Sequence, residues 1–206
     1  MAREYDASRR QEAARRTREA ILAAAFRLHG QGIFDLESLA READVSVATV
    51  RKHFPNRELL FEGCTAYGFH QVSTPDPVAL AAVTDPAIRL TEAVRQAYAL
   101  HEGLFGQVWG AYKLADESAV LSATLRDVEG LMGALTEIVM AAWPDFGDTA
   151  GELRGLISGL LSPLAYRALR AHGHLSPEQA TRSTTGLLLQ ALEAGGVPAQ
   201  EEATYR

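Results

Sequence analysis

The sequence predicts an all-α protein: a compact three-helix unit at the N-terminus followed by a larger helical region, about nine helices in all. Three observations predict it. Apolar residues recur at three- and four-residue spacing, with little period-2 alternation and no β-branched runs. Helix-starting residues (Asp35, Ser46, Asn56, Asp85, Ser176) stand immediately before these periodic segments. Glycine and proline punctuate the intervals between them. With 47% apolar and 22% charged residues, the 206-residue chain can bury a substantial core, which argues against global disorder.

The first helix is expected from about Ser8 to Gln31, with Ala14, Ile21, Leu22, Ala25, Phe26 and Leu28 on one stripe and Gly30 and Gly32 ending it. Asp35 caps a second helix, Leu36 to Ala43, and Ser46 a third, Val47 to about His53. Pro55-Asn56 interrupts, and Asn56 caps a fourth helix to about Val72, with Glu58 in its first turn, where a negative charge suits the helix dipole. The two prolines of Ser73 to Asp85 mark a linker with room for one helical turn. Further helices are expected at 86–101, 104–114, 118–142 and 148–171, with a kink at Pro163. The last begins at Ser176-Pro177, has Gln179 in a capping-box position, and stops at Gly195-Gly196 before Pro198.

Residues 36–60 carry the most information. Leu36, Leu39, Ala40 and Ala43 form an inner face, Val45 plugs the turn, and Val50 and Phe54 complete a shared core. Asp44 stands where the turn needs a left-handed backbone, which Asp tolerates better than most residues. Turning the apolar positions inward leaves Val47, Ala48, Thr49, Arg51 and Lys52 outward, the arrangement of a helix-turn-helix whose second helix enters the major groove of DNA. Small side chains at 47–49 permit close approach to base edges, and Arg51, Lys52, His53 and Arg57 stand at the rim, where phosphates lie. The net charge of −6 does not oppose this reading, because residues 1–62 carry eleven basic against ten acidic side chains and the acidic excess lies in the remainder. An ordinary helical hairpin with a charged face is the competing explanation.

Residues 17–62 resemble the N-terminal DNA-binding domain of the TetR family of bacterial transcriptional regulators. The match rests on Ile21-Leu22, Ala24-Ala25-Phe26, Leu39-Ala40, Val45-Ser46, Thr49-Val50 and the run His53-Phe54-Pro55-Asn56-Arg57-Glu58-Leu59-Leu60. The resemblance implies a DNA-binding domain over 1–55 and a helical regulatory and dimerisation domain over 56–206. It also implies a homodimer joined through the last two helices, and repression relieved by a small ligand. In family terms Ser38, Thr49, Arg51, His53 and Arg57 occupy phosphate-contact positions, and Val47, Ala48 and Lys52 are nearest the bases. Two residues depart from the common pattern: Asp44 where glycine is frequent, and Arg51 where tyrosine is. Arginine retains a phosphate contact with added charge.

Beyond residue 62 the resemblance does not extend. Tyr98, His101, Phe105, Trp109 and Tyr112 form an aromatic-rich run, and Leu121, Leu125, Met132 and Leu135 recur at helical spacing. Tyr98, His101, Phe105, Trp109, Tyr112 and Met132 are the expected contacts for a small hydrophobic or aromatic effector, with plain core packing as the alternative. Gly151, Gly155 and Gly159 share one helix face, and with Thr181, Thr185, Leu188 and Leu192 they are expected in or near a symmetric dimer interface, or else at a close crossing within one subunit.

Other function classes find little support. His172 and His174 lack a neighbouring carboxylate or cysteine at ligand spacing, so neither a metal site nor any other cofactor is expected. No nucleophile elbow, phosphate-binding loop or metalloprotease motif occurs. No apolar run is long enough for a bilayer, and the charged N-terminus lacks a signal-peptide core, so a cytoplasmic protein is expected. Cys64, the single cysteine, reads as a small core residue. The remaining alternatives are a helical enzyme or binding protein without specific DNA recognition, and an architectural DNA binder without a ligand.

Overall fold

The computed structural model describes residues 2–195, with side chains from residue 8 onward. Among the described residues the chain forms eleven α-helices and no strand. The expected helix stop beyond Gly195, at Gly196 and Pro198, lies outside them. The helices group into two compact units, residues 1–73 with 103–127, and residues 74–102 with 128–206. Compactness therefore does not divide the chain at residue 55.

The first unit contains α1 (Ala2–Gly30), α2 (Leu36–Glu42), α3 (Val47–His53), α4 (Arg57–Gln71) and α7 (Phe105–Leu114). Its core joins Ile21, Ala24 and Ala25 of α1 to Leu39 and Ala40 of α2, Val50 of α3, Phe54, and Leu60 and Cys64 of α4. The expected stripe of α1 holds from Ile21 onward, but Ala14 is exposed. Helices α1 and α7 cross backbone to backbone at Gly30 and Gly106, and a Cβ on Gly106 would collide with the Gly30 carbonyl. Gln107 completes the crossing by donating from Nε2 to the Phe26 carbonyl at 2.9 Å. Within this core His29 stands 3.4 Å from the Cys64 sulfur and packs on Phe34 and Phe61. Burial pushes the Cys64 thiol up to about 12, so this cysteine is a packing residue and an unreactive one.

The second unit contains α5 (Pro77–Ala81), α6 (Pro86–Gly103), the greater part of α8 (Ala119–Met140), α9 (Ala150–Leu161), α10 (Pro163–Arg167) and α11 (Pro177–Gly195). The short helix α5 fills part of the expected linker, capped by Asp76 and started by Pro77. The single helix expected over 148–171 is instead three pieces: a 3-10 turn and α9, then α10, then a π-helical turn Ala168–His172. Pro163 is the reason. It cannot donate to α9, so α9 stops at Leu161 and Ser162 caps a new helix by accepting from the Ala165 N–H at 3.2 Å. The break and the short α5 raise the expected nine helices to eleven.

The break also leaves carbonyls at the end of α9 without helical partners. Tyr98 donates its hydroxyl to the Leu160 carbonyl at 2.9 Å, and His101 its Nε2–H to the Leu161 carbonyl at 2.8 Å. Beside them Tyr166 donates to Glu102 at 2.7 Å, and Arg170 holds the same carboxylate with two N–H groups. Leu188 and Leu192 of α11 are wholly buried in this core with Ile157 and Leu161.

Burial of the two histidines has a consequence for stability. His29 is pushed down to about 4 by desolvation and secondarily by the charge of Arg57; His101 is pushed down to about 4 by desolvation, against the opposing effect of its bond to Leu161. Each prefers to be neutral when folded, so between pH 6.5 and 4 the unfolded chain binds protons that the folded chain refuses. Stability is therefore full above pH 6.5 and falls as pH drops through that window. Replacing His101 with Gln should flatten the pH dependence of urea unfolding between pH 6.5 and 4.5 by up to about 1.4 kcal/mol per pH unit, whatever it costs in absolute stability.

Candidate nucleic-acid interface

Helix α3 has seven residues, too few to persist alone, so its placement is due to its surroundings. Asp44 adopts φ 53°, the left-handed conformation expected from the sequence. That geometry lets the Val45 N–H reach back to the Ala40 carbonyl at 2.9 Å and closes the turn. Ser46 then caps α3, its hydroxyl oxygen accepting from the Thr49 N–H at 3.1 Å and lying 2.9 Å from the Thr49 hydroxyl. Asp35 caps α2 in the same manner by accepting from the Ser38 N–H at 2.7 Å. Val50 is fully buried and Phe54 nearly so, which fixes the rotation of α3 about its axis.

That rotation distributes the eight sequence-derived DNA positions. Ala48, Arg51 and Lys52 are exposed on α3. Thr49 and His53 are half-buried beside them, and Val47 is half-buried against the core. Ser38 is half-buried on α2, its hydroxyl accepting from Arg41 at 3.1 Å and retaining its own hydrogen to donate. Arg57 begins α4, stacked over the Phe61 ring at 4.9 Å and paired with Glu117 at 3.1 Å. Both partners of that pair are about half or more exposed, so it contributes only ~0–1 kcal/mol and leaves donors of the guanidinium for another anion.

The long-range contacts of three residues escaped the sequence reading. Arg18 of α1 lies over the Phe54 ring at 4.3 Å and donates to the His53 carbonyl at 3.4 Å, at the end of α3. Glu58 accepts from the Ser118 hydroxyl and the Val120 N–H, both at 3.1 Å, and so holds the start of α8 against α4. Glu117 holds Arg57 from the neighbouring position. The separations of 35 and 60 residues leave no local signal for these contacts.

The positions expected to meet an effector are divided between the two units. Tyr98, His101 and Met132 are buried in the second; Phe105, Trp109 and Tyr112 lie on α7 of the first, Trp109 being 38% exposed. His101, expected with Tyr112 as a polar contact for a ligand, and Tyr98, expected in its aromatic lining, both bond to the end of α9. The expected dimer residues divide too. Gly151, Gly155 and Gly159 are exposed on one face of α9, and a Cβ on any of them would meet nothing within 4 Å. A close helix crossing among the described residues is thus not their explanation. Thr181 is half-buried and Thr185 buried, while Leu188 and Leu192 have no exposed area to offer a partner. The outward leucine on α11 is Leu187, 53% exposed. Among the described residues no cluster of metal-ligating side chains occurs, and no helix is long and apolar enough to cross a membrane.

Comparison with known proteins agrees with the fold. No protein-family model matches the chain, and no curated protein matches it. Among solved structures it is similar to a transcriptional regulator from a Rhodococcus species, with a TM-score of 0.63 and 18% identity over 88% of this chain and 98% of the other. It is also similar to NalD, the secondary repressor of the MexAB-OprM multidrug efflux pump in Pseudomonas aeruginosa, with a TM-score of 0.59, 22% identity and the same coverage. The all-α architecture expected from the TetR resemblance, a helix-turn-helix unit followed by a larger helical region, is the architecture present.

Arg57→Ala tests the rim. It should weaken binding to duplex DNA of any sequence and reduce the slope of log affinity against log salt by about 1, measured by fluorescence anisotropy across a salt series. An unchanged slope would remove Arg57 from the phosphate contacts.

Proposed function

We propose that the protein is a DNA-binding transcriptional regulator, a homodimeric repressor that reads a palindromic operator with α3 and is released by a small hydrophobic or aromatic effector. One observation carries the reading: the left-handed turn at Asp44 and the buried Val50 and Phe54 turn Ala48, Arg51 and Lys52 outward on one short helix, with Arg57 beside it. Residues 1–55 supply the reading head, and 56–206 supply regulation and dimerisation. Ala48 permits approach to base edges, and Lys52 has the reach for a base contact. Ser38, Thr49, Arg51, His53 and Arg57 serve phosphates, which position the head without carrying sequence information. Few of these side chains can read a base bidentately, so DNA shape and bridging water contribute to specificity.

Dimerisation follows from the open glycine face. Three glycines in register cost helix stability and meet nothing among the described residues, so a second copy crossing α9 at Gly151, Gly155 and Gly159 is the simplest reason for them. Leu156, 38% exposed, and Leu187 add apolar area on α9 and α11 in place of Leu188 and Leu192. For the effector, the aromatic side chains of α7 are the remaining candidates, and α7 lies against α1 of the reading head. A ligand that prefers one arrangement of α7 shifts the population of DNA-competent dimers by its differential affinity.

The direct test is a gel shift with the promoter region flanking the protein's own gene. A specific complex that candidate hydrophobic ligands dissolve is expected. No specific complex at moderate salt would overturn the regulator reading, and turnover of a small substrate would favour an enzyme. For the dimer, Gly155→Ala discriminates cleanly. A solvent-facing position would gain up to about 1 kcal/mol of helix stability from the added methyl with no change of mass in solution, whereas an interface position should show a weakened dimer by sedimentation.

A further inference from the structure

We infer that Glu117 is an intramolecular stand-in for DNA phosphate: it occupies Arg57 in the free protein and so holds down affinity for any duplex. The inference rests on the DNA-binding reading above and goes beyond it. That reading assigns Arg57 to phosphates and leaves its protein partner without a role.

The contact starts from the joint between α7 and α8. Glu117 ends the 3-10 turn Ala115–Glu117, and Ser118 follows it as the cap of α8. Ser118 is buried, and its hydroxyl oxygen accepts from the Leu121 N–H at 3.2 Å. The same hydroxyl donates to Glu58, whose carboxylate also accepts from the Val120 N–H, both at 3.1 Å. Two N–H groups in the first turn of α8 are thus satisfied by Ser118 and by a residue of α4. Glu117 is not needed for them, and its side chain turns across to Arg57, 3.1 Å from Nη1.

An exposed ion pair ordinarily contributes little, because two long side chains must give up rotamer freedom to meet. Here both ends are held by their neighbours. Arg57 and Glu58 are consecutive on α4, Glu117 and Ser118 are consecutive before α8, and the bond from Ser118 to Glu58 joins the two backbones. Arg57 is confined further over the Phe61 ring at 4.9 Å. The pair is therefore a carboxylate delivered to a fixed guanidinium, with an oxygen where a phosphate oxygen would bond. Spare N–H groups remain on Arg57, but the carboxylate beside it offsets the charge that would attract a second anion. Phosphate has to displace Glu117 or bind next to it, and either costs affinity. Base preference is untouched, since phosphate contacts carry none.

The experiment uses the full-length protein and a mixed-sequence duplex, titrated by anisotropy over a salt series. Glu117→Gln should tighten binding several-fold at low salt and steepen the slope of log affinity against log salt, and Glu117→Ala should do the same. In an Arg57→Ala background, Glu117→Gln should give less than half of that gain in log affinity, because the cation it releases is gone. Asp116→Asn removes the same charge from the same exposed turn, one residue away, and should also give less than half. Thermal melts monitored by circular dichroism establish that the variants are folded. An unchanged or weaker affinity of Glu117→Gln, an equal gain from Asp116→Asn, or a gain undiminished in the Arg57→Ala background would overturn the inference and leave the α3 reading intact. No complex from the wild type at low salt would overturn both.

Discussion

The helix-turn-helix unit depends on burying one side of a seven-residue helix. Two turns of α3 cannot offset their own nucleation cost in water, and its exposed side is polar, so the helix exists because Val50 and Phe54 are inserted between α1 and α4. The same insertion dictates which residues face away. With Val50 fully buried, Ala48, Arg51 and Lys52 have no direction left but outward. Stability and presentation are thus one constraint, and a change that loosened the core at Ile21, Ala25 or Leu39 would misdirect the outer residues as well as destabilise the fold. The turn at Asp44 belongs to this constraint, since its left-handed backbone sets the angle at which α3 leaves α2.

The residues around α3 are held by long-range polar contacts of modest strength. Arg18 braces its end, Glu117 holds Arg57, and Glu58 holds the start of α8. An exposed pair such as Arg57 with Glu117 exchanges readily, which suits the phosphate contact proposed for Arg57. A guanidinium already stacked on Phe61 or Phe54 has lost part of its rotamer freedom before any anion arrives, so less entropy is lost on binding.

How much of this was legible in the sequence depended on the range of the interaction. The caps at Asp35, Ser46, Asn56 and Ser176, and the left-handed Asp44, are local, and each could be read from a few neighbouring residues. Pro163 was legible as an interruption but not as the cause of new orphan carbonyls, because the groups that satisfy them, Tyr98 and His101, stand about 60 residues away in sequence. His101 therefore looked like a polar point in a ligand cavity, and Tyr98 like part of its aromatic lining. Leu188 and Leu192 posed a related ambiguity. A helical stripe of leucines looks the same whether it covers the chain's own core or a second copy, and only the burial of both by their own chain distinguishes the cases. The glycines of α9 posed the reverse problem: their periodicity announced a close approach, and the structure contributes that nothing among the described residues makes it.

The acidic excess of the whole chain acquires a role once the charges are placed. A reading head with a uniformly basic surface would bind any duplex tightly, and sequence discrimination would be lost in non-specific affinity. Here the basic groups are few and local: Arg51 and Lys52 on α3, Arg57 already partnered by Glu117, and on α1 Arg15 and Arg16, matched by Glu12 and Glu19. Non-specific attraction scales with the number of phosphates neutralised, so internal pairing of surplus arginines lowers it while leaving the groups proposed to meet the groove unaffected. The same pairing makes the head's affinity sensitive to small displacements. If, as proposed, only a handful of cations reach phosphates, the loss of two or three through a changed angle of α3 would remove a large share of the electrostatic binding, and a modest ligand-induced shift would then suffice to release DNA.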